Sequence, residues 1–260
     1  MGTLQGSWIW YELMSPDPEG SKTFYEAVVG WTISTGHGSD DSYGFIANAD
    51  GGMTGGLLRL SQEMQDHGAR PCWLGYIAVD DVDAFLPRLE SAGGKVLMGP
   101  RDVPMAGRIA MVADCCGAPF YVMTPTPPPG GGESTAFSFV LKGRCGWNEL
   151  SAGDQAKAIA FYTGLFGWSL PDAMDMGPMG TYQFIAHDQL PIGAIMQKVP
   201  ERPAPVWQHY FTVESITASI AAARAGGGQI IHGPQEVPGG SWIVVGIDPQ
   251  GAEFCLVGDK

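Results

Sequence analysis

The sequence predicts an α+β chain of four βαβββ units, two in each half, each half curling a mixed sheet around a concave face. Three observations carry this expectation. Blocks of residues recur in order along the chain, which marks a tandem duplication. Within each half, two-residue and helical periodicities alternate. Glycine (38 residues) and proline (20 residues) are abundant but non-periodic, as many short strands joined by turns require.

The repeat is read directly. Trp10-Tyr11-Glu12-Leu13 returns 137 positions later as Trp147-Asn148-Glu149-Leu150. Phe24-Tyr25 returns as Phe161-Tyr162, and Gly30-Trp31 as Gly167-Trp168, at the same spacing. Gly56 is matched with Gly193. Beyond it the spacing falls to 134, pairing Trp73 with Trp207, Asp114 with Asp248 and Phe120 with Phe254. The stretch from Gly56 to Trp73 is therefore expected to be three residues longer than its copy. Thr124 to Glu133 is rich in proline and glycine and is expected to be neither helix nor central strand. The expected organisation is a domain over 1–123, a linker over 124–136 and a duplicate domain over 137–260.

Taken in order, residues 8–14 read as a strand. Ser15-Pro16-Asp17-Pro18 supplies a cap and an early proline, and Phe24, Ala27 and Val28 follow at helical spacing until Gly30. Short strands are expected at 31–36, 43–49 and 54–60. The pattern restarts with a strand over 73–79. Asp80 and Asp81 then open a helix carrying Val82, Phe85, Leu86 and Leu89 on one face. Gly93-Gly94 stop it, and strands follow near 95–98, 107–113 and 119–124. The second half repeats the scheme, with helices near 154–166 and 215–225.

Composition excludes several functions. The net charge of −13, with no run of lysine or arginine, disfavours nucleic acid and anionic membrane surfaces as partners. No stretch approaches the length of a membrane-spanning helix, and the N-terminus has no basic secretory region. The cysteines at 72, 115, 116, 145 and 255 are odd in number and form no CxxC, which suits reduced thiols in the cytoplasm. Cys115-Cys116 reads as an inert pair in a turn. The loop Gly51 to Gly56 lacks the lysine of a phosphate loop and reads as a hairpin turn. His37, His67, His187 and His232 fall in expected loops and receive no role.

The motifs W-x-E-L, Lys22 to Trp31, 158–168, 76–83, 92–96 and 248–254 together resemble the vicinal oxygen chelate superfamily. That superfamily groups glyoxalase I, bleomycin-resistance proteins and extradiol dioxygenases, and the likeness is to its tandem two-domain branch. The resemblance implies inward-facing strand positions for His, Gln or Glu metal ligands. Those positions here hold Trp10 and Trp147, then Gly75 and His209, then Tyr121 and Cys255. The fourth, on strand 54–60 or its copy, is apolar. No cofactor is expected, since zinc wants three or four N/S/O ligands. A divalent metal at His209 with Glu149 belongs to the alternative reading.

Glu12 and Glu149 share the face of Trp10 and Trp147 two residues away. Each is a candidate general base with a raised pKa, or else a structural acceptor. Trp10, Trp73, Trp147 and Trp207 either line concave surfaces or belong to the core, where each indole N–H needs a partner. Trp73 is assigned the face of Gly75, and Trp207 that of His209. Arg108 and Trp242 occupy matched positions and make the two cups unequal, one suited to an anion. The resulting expectation is a protein binding a small aromatic or hydrophobic molecule in largely metal-free cups, as a monomer or homodimer. The alternatives are a metal-dependent lyase, isomerase or dioxygenase centred on His209, and a non-catalytic interaction scaffold.

Overall fold

The computed structural model describes residues 5–36, 42–127, 132 and 134–260. The first half runs β1 (Trp8–Ser15), α1 (Pro18–Val29), β2 (Thr32–Ile33), β3 (Tyr43–Ala47), β4 (Met53–Arg59), α2 (Gln62–Asp66), β5 (Cys72–Ala78), α3 (Val82–Ser91), β6 (Lys95–Val103), β7 (Gly107–Ala113) and β8 (Pro119–Pro125). The second runs β9 (Cys145–Ala152), α4 (Gln155–Phe166), β10 (Ala173–Asp175), β11 (Thr181–His187), β12 (Leu190–Gln197), β13 (Val206–Ser215), α5 (Ile216–Ala225), β14 (Gln229–Glu236), β15 (Trp242–Ile247) and β16 (Glu253–Asp259). Each half forms one eight-stranded mixed sheet, ordered β2-β3-β4-β1-β5-β8-β7-β6 and β10-β11-β12-β9-β13-β16-β15-β14. The α+β class and the four βαβββ units are as the sequence predicts. Part of the proline-glycine stretch, 128–131 and 133, lies outside the described residues, as does His37.

Local chemistry sets the helix ends. The Asp17 carboxylate accepts the Gly20 N–H, Pro18 occupies the first turn, and Gly30 closes α1 at φ 86°. Asp81, Asp154 and Ser215 cap α3, α4 and α5 in the same way. The short helix α2, capped by Ser61, was not anticipated and takes up part of the longer connection between β4 and β5.

Strand register corrects one feature of the repeat. Glu12 lies opposite Gly56, whereas Glu149 lies opposite Ala194. Gly55 and Gly193 each press on a neighbouring strand, where an added Cβ would stand 1.6 Å from the Tyr11 carbonyl oxygen and 1.8 Å from that of Asn148. Gly55, not Gly56, is thus the counterpart of Gly193. The extra loop is four residues long rather than three.

The chain packs as two compact bodies that cut across the halves of the repeat. One comprises Met1–Ile9, Gly75–Glu133 and Asn148–Gln208; the other comprises Trp10–Leu74, Ser134–Trp147 and His209–Lys260. Inside each body, matched hydrogen bonds join residues of the first half to residues of the second. In the second body, the Trp73 indole N–H donates to the Tyr25 hydroxyl (3.1 Å), which donates to Asp248 Oδ2 (2.9 Å). In the first body, Trp207 donates to Tyr162 (2.7 Å), which donates to Asp114 Oδ2 (3.3 Å). Trp31 likewise donates to the Gly143 carbonyl, and Trp168 to that of Gly6, both at 2.8 Å. The helices follow suit: the Ser219 hydroxyl of α5 donates to the Val28 carbonyl of α1, and Phe85 of α3 packs on Phe166 of α4.

Both carboxylates are buried, which raises their pKa values, while backbone N–H donors work in the opposite direction. Asp114 Oδ1 accepts from the N–H groups of Cys116 and Ala118; Asp248 Oδ1 accepts from those of Gln250 and Ala252. Among the described residues, no helix is long and apolar enough to cross a membrane.

Replacing Tyr25 or Tyr162 by Phe keeps the ring but strands an indole N–H and a buried carboxylate oxygen. Each change should cost about 1–3 kcal/mol in urea unfolding. A loss below a few tenths of a kcal/mol would show that the relay adds nothing to ring packing.

Candidate functional site

Alternation along β1 turns Tyr11 and Leu13 toward the core and Trp10 and Glu12 toward the opposite face. On that face the Trp10 ring meets Phe45 edge-on at 6.3 Å, and its indole N–H donates to the Tyr43 hydroxyl at 2.9 Å. Tyr43 lies over Gly56, where an added Cβ would stand 2.0 Å from the phenol oxygen and 2.3 Å from Cζ. Glu12, opposite Gly56, is buried with 3% of its surface exposed. The neighbouring Cys72 thiol is pushed up to about 12, mainly by burial and secondarily by the charge of Glu12.

The copied face in the first body differs. Phe184 and Glu149 lie on either side of Ala194 in the sheet. The Tyr182 hydroxyl donates to Glu149 Oε2 at 2.7 Å, and the Tyr182 and Phe184 rings meet edge-on at 5.5 Å. Glu149, Tyr182 and Phe184 are all half-buried. A carboxylate is a hydrogen-bond acceptor for hydroxyls and amines, and here it lies beside the Tyr182 phenol, which the Phe184 ring meets edge-on.

Further along the sheets, the expected cup residues Tyr121 and Cys255 are buried, as are Tyr76 and Tyr210. Tyr76 stacks on Tyr121 with centroids 4.3 Å apart and planes at 13°. Trp147 packs against a cluster of Tyr210, Val245 and Cys255. Tyr43, Tyr76, Tyr182, Phe184 and Tyr210 were not picked out from the sequence. The available signal was their alternation with buried core residues once strand register is known.

The structure places Trp73, Trp207 and His209 on the core face instead. The two indoles donate to Tyr25 and Tyr162, as core tryptophans must. His209 is 3% exposed, with its ring edge-on to Tyr11 at 4.9 Å. Desolvation lowers its pKa to about 3, so it is neutral at pH 7. Of the two readings of Trp73 and Trp207, the structure has the core one, and His209 shares that face; Tyr76 and Tyr210, at alternate positions, point the other way.

Arg108 is held by carboxylates at both ends, with Nη2 2.9 Å from Asp83 and Nη1 3.0 Å from Asp102. Its charge is already matched, contrary to the expected anion site. Trp242 carries the Lys260 ammonium over its ring at 4.0 Å. Burial and the adjacent thiol of Cys116 push Cys115 up to about 12, as befits an unreactive thiol. A surface groove of about 440 Å³ lined by Asp80, Asp81, Phe85 and Arg88 contains none of the candidate residues.

Comparison with known proteins gives a consistent picture. Residues 9–122 and 144–256 each match the family model of the Glyoxalase/Bleomycin resistance protein/Dioxygenase superfamily. The anthracycline biosynthesis protein DauV of Streptomyces sp. (strain C5) is 31% identical over 97% of this chain and 93% of its own length. CFP32 of Mycobacterium tuberculosis, named as a candidate glyoxylase, is 29% identical over 97% of this chain and 95% of its own. In fold, the chain resembles the Mn(II)-bound glyoxalase of Novosphingobium aromaticivorans, with TM-score 0.66, 18% identity, and 98% and 83% of the two chains covered. It also resembles 2,2',3-trihydroxybiphenyl 1,2-dioxygenase of Sphingomonas wittichii strain RW1, with TM-score 0.66, 14% identity, and 97% and 90% covered.

A metal of the kind held by that glyoxalase does not fit the residues present. Among the described residues, no three His, Cys, Asp or Glu side chains gather as a ligand set. Trp10 and Trp147 carry indoles with no lone pair to donate, and His209 faces the core.

The depressed pKa of His209 has a measurable consequence. The unfolded chain binds a proton here below about pH 6.5, and the folded chain does so only near pH 3. Its contribution is therefore complete above pH 6.5 and is lost as pH falls toward 3, at about 1.4 kcal/mol per pH unit in between. His209→Leu should flatten the decline in unfolding free energy between pH 6 and pH 4 by about that slope. An unchanged slope would mean that the imidazole is protonated in the folded protein.

Proposed function

We propose a small-molecule-binding role for this chain, which belongs to the Glyoxalase/Bleomycin resistance protein/Dioxygenase superfamily. The ligand is a flat aromatic compound bearing a hydroxyl or amine, held against the sheet face of Glu149, Tyr182 and Phe184. The observation that carries this reading is the 2.7 Å bond from the Tyr182 hydroxyl to Glu149. It fixes a half-buried carboxylate at the end of an aromatic surface, and a carboxylate has acceptor sites on both oxygens.

A carboxylate accepts from a ligand O–H or N–H more strongly than a neutral group would, and aromatic walls supply the area. The ligand's rings would stack and its polar substituent would select orientation. The relatives named as anthracycline biosynthesis proteins accord with a small-molecule ligand. No catalytic step and no metal is needed for this role.

The test uses 2-naphthol as probe, followed by equilibrium dialysis and by thermal shift. Saturable binding is expected, with naphthalene, which lacks the hydroxyl, held at least about tenfold more weakly. Glu149→Gln should weaken 2-naphthol by a similar factor while leaving naphthalene unchanged. Absence of saturable binding, or equal binding by Glu149→Gln, overturns the proposal.

A further inference from the structure

The repeat equips both halves with the same parts on this face, yet the parts are arranged differently. Register makes Tyr43 the counterpart of Tyr182, Phe45 of Phe184, Glu12 of Glu149 and Gly56 of Ala194. Resting on the reading above, we propose that the residue at this last position decides which face takes a ligand: glycine closes the first and alanine keeps the second open.

Tyr43 can settle over Gly56 because no side chain is there. A Cβ would overlap the phenol, at 2.0 Å from its oxygen, 2.3 Å from Cζ and 2.7 Å from Cε1. Settled in this way, the phenol meets the Trp10 indole N–H, and Glu12 behind it is 3% exposed. The first face thus holds an aromatic ring of its own where a ligand's ring would lie. At Ala194 the methyl group forbids the same pose. The Tyr182 phenol instead reaches Glu149, and that carboxylate remains half-buried rather than buried. One methyl group therefore separates a self-filled face from a receptive one, and the chain holds one ligand rather than two.

The test is stoichiometry of 2-naphthol by equilibrium dialysis on the full chain, together with the indole N–H signal of Trp10 in an NMR spectrum. The unmodified protein should bind one molecule. Gly56→Ala should bind two and move the Trp10 signal, because its bond to Tyr43 is lost. Tyr43→Ala should also bind two, by clearing the same place without adding a methyl group. Ala194→Gly should lose binding at least about tenfold. If the unmodified chain binds one molecule and both first-half variants still bind one, the assignment to Gly56 fails while the proposed function stands. If the unmodified chain binds two, the self-filled face is disproved. If it binds none, the proposed function itself falls, and this inference falls with it.

Discussion

The crossed tyrosine–aspartate bonds are the constraint on which the rest depends. Tyr25 belongs to the first half and Asp248 to the second, and Tyr162 and Asp114 repeat the arrangement in reverse. Each bond passes a tryptophan N–H from a central strand through a helix-borne phenol to a carboxylate in a turn. This fixes three elements at once in a buried setting, where an unmade bond is costly. It also fixes faces. With Trp73 and Trp207 committed to the helices, the residues alternating with them, Tyr76 and Tyr210, must turn the other way.

Much of this was legible in the sequence. The duplication, both glycine helix stops and the aspartate caps were apparent because each depends on local chemistry within a few residues. Asp114 and Asp248 were recognised as matched positions. Their partners were not, because nothing in a repeat says whether a residue bonds within its own half or to the other. The candidate site suffered from a different ambiguity. Strand β5 is buried on both faces along most of its length, so no alternation of polar and apolar residues was available to say which face was which. A choice that is wrong by one residue transfers every side chain to the opposite face. Trp73 and Trp207 stayed open between cup and core for that reason, and His209 was given a ligand position on the face that the structure packs against Tyr11.

The same point explains the glycines. Gly56 and Gly193 looked equivalent because both are glycine near the same spacing. Their backbones are not: Gly55 and Gly193 make room for a neighbouring strand's carbonyl, whereas Gly56 makes room for a ring. Identity of residue type concealed a difference of role that only pairing reveals. The superfamily fold therefore carries two faces built from one template but tuned separately, consistent with fold setting the frame and individual side chains setting the chemistry.

The crossed bonds also bear on the order in which the molecule can assemble. Tyr162 and Asp114 are 48 residues apart, whereas Tyr25 and Asp248 are 223 apart. Closing the longer loop costs about 1.4 kcal/mol more in chain entropy, since the penalty grows with the logarithm of length. During synthesis from the N-terminus, the body around Tyr162 can complete its relay while Asp248 has yet to emerge. Tyr25, made early, can take the Trp73 N–H at once but is among the last to find its carboxylate. Within α1, Tyr25 can pack on Trp31 and Trp73 early, whereas Phe24 waits for Phe254 in the final strand.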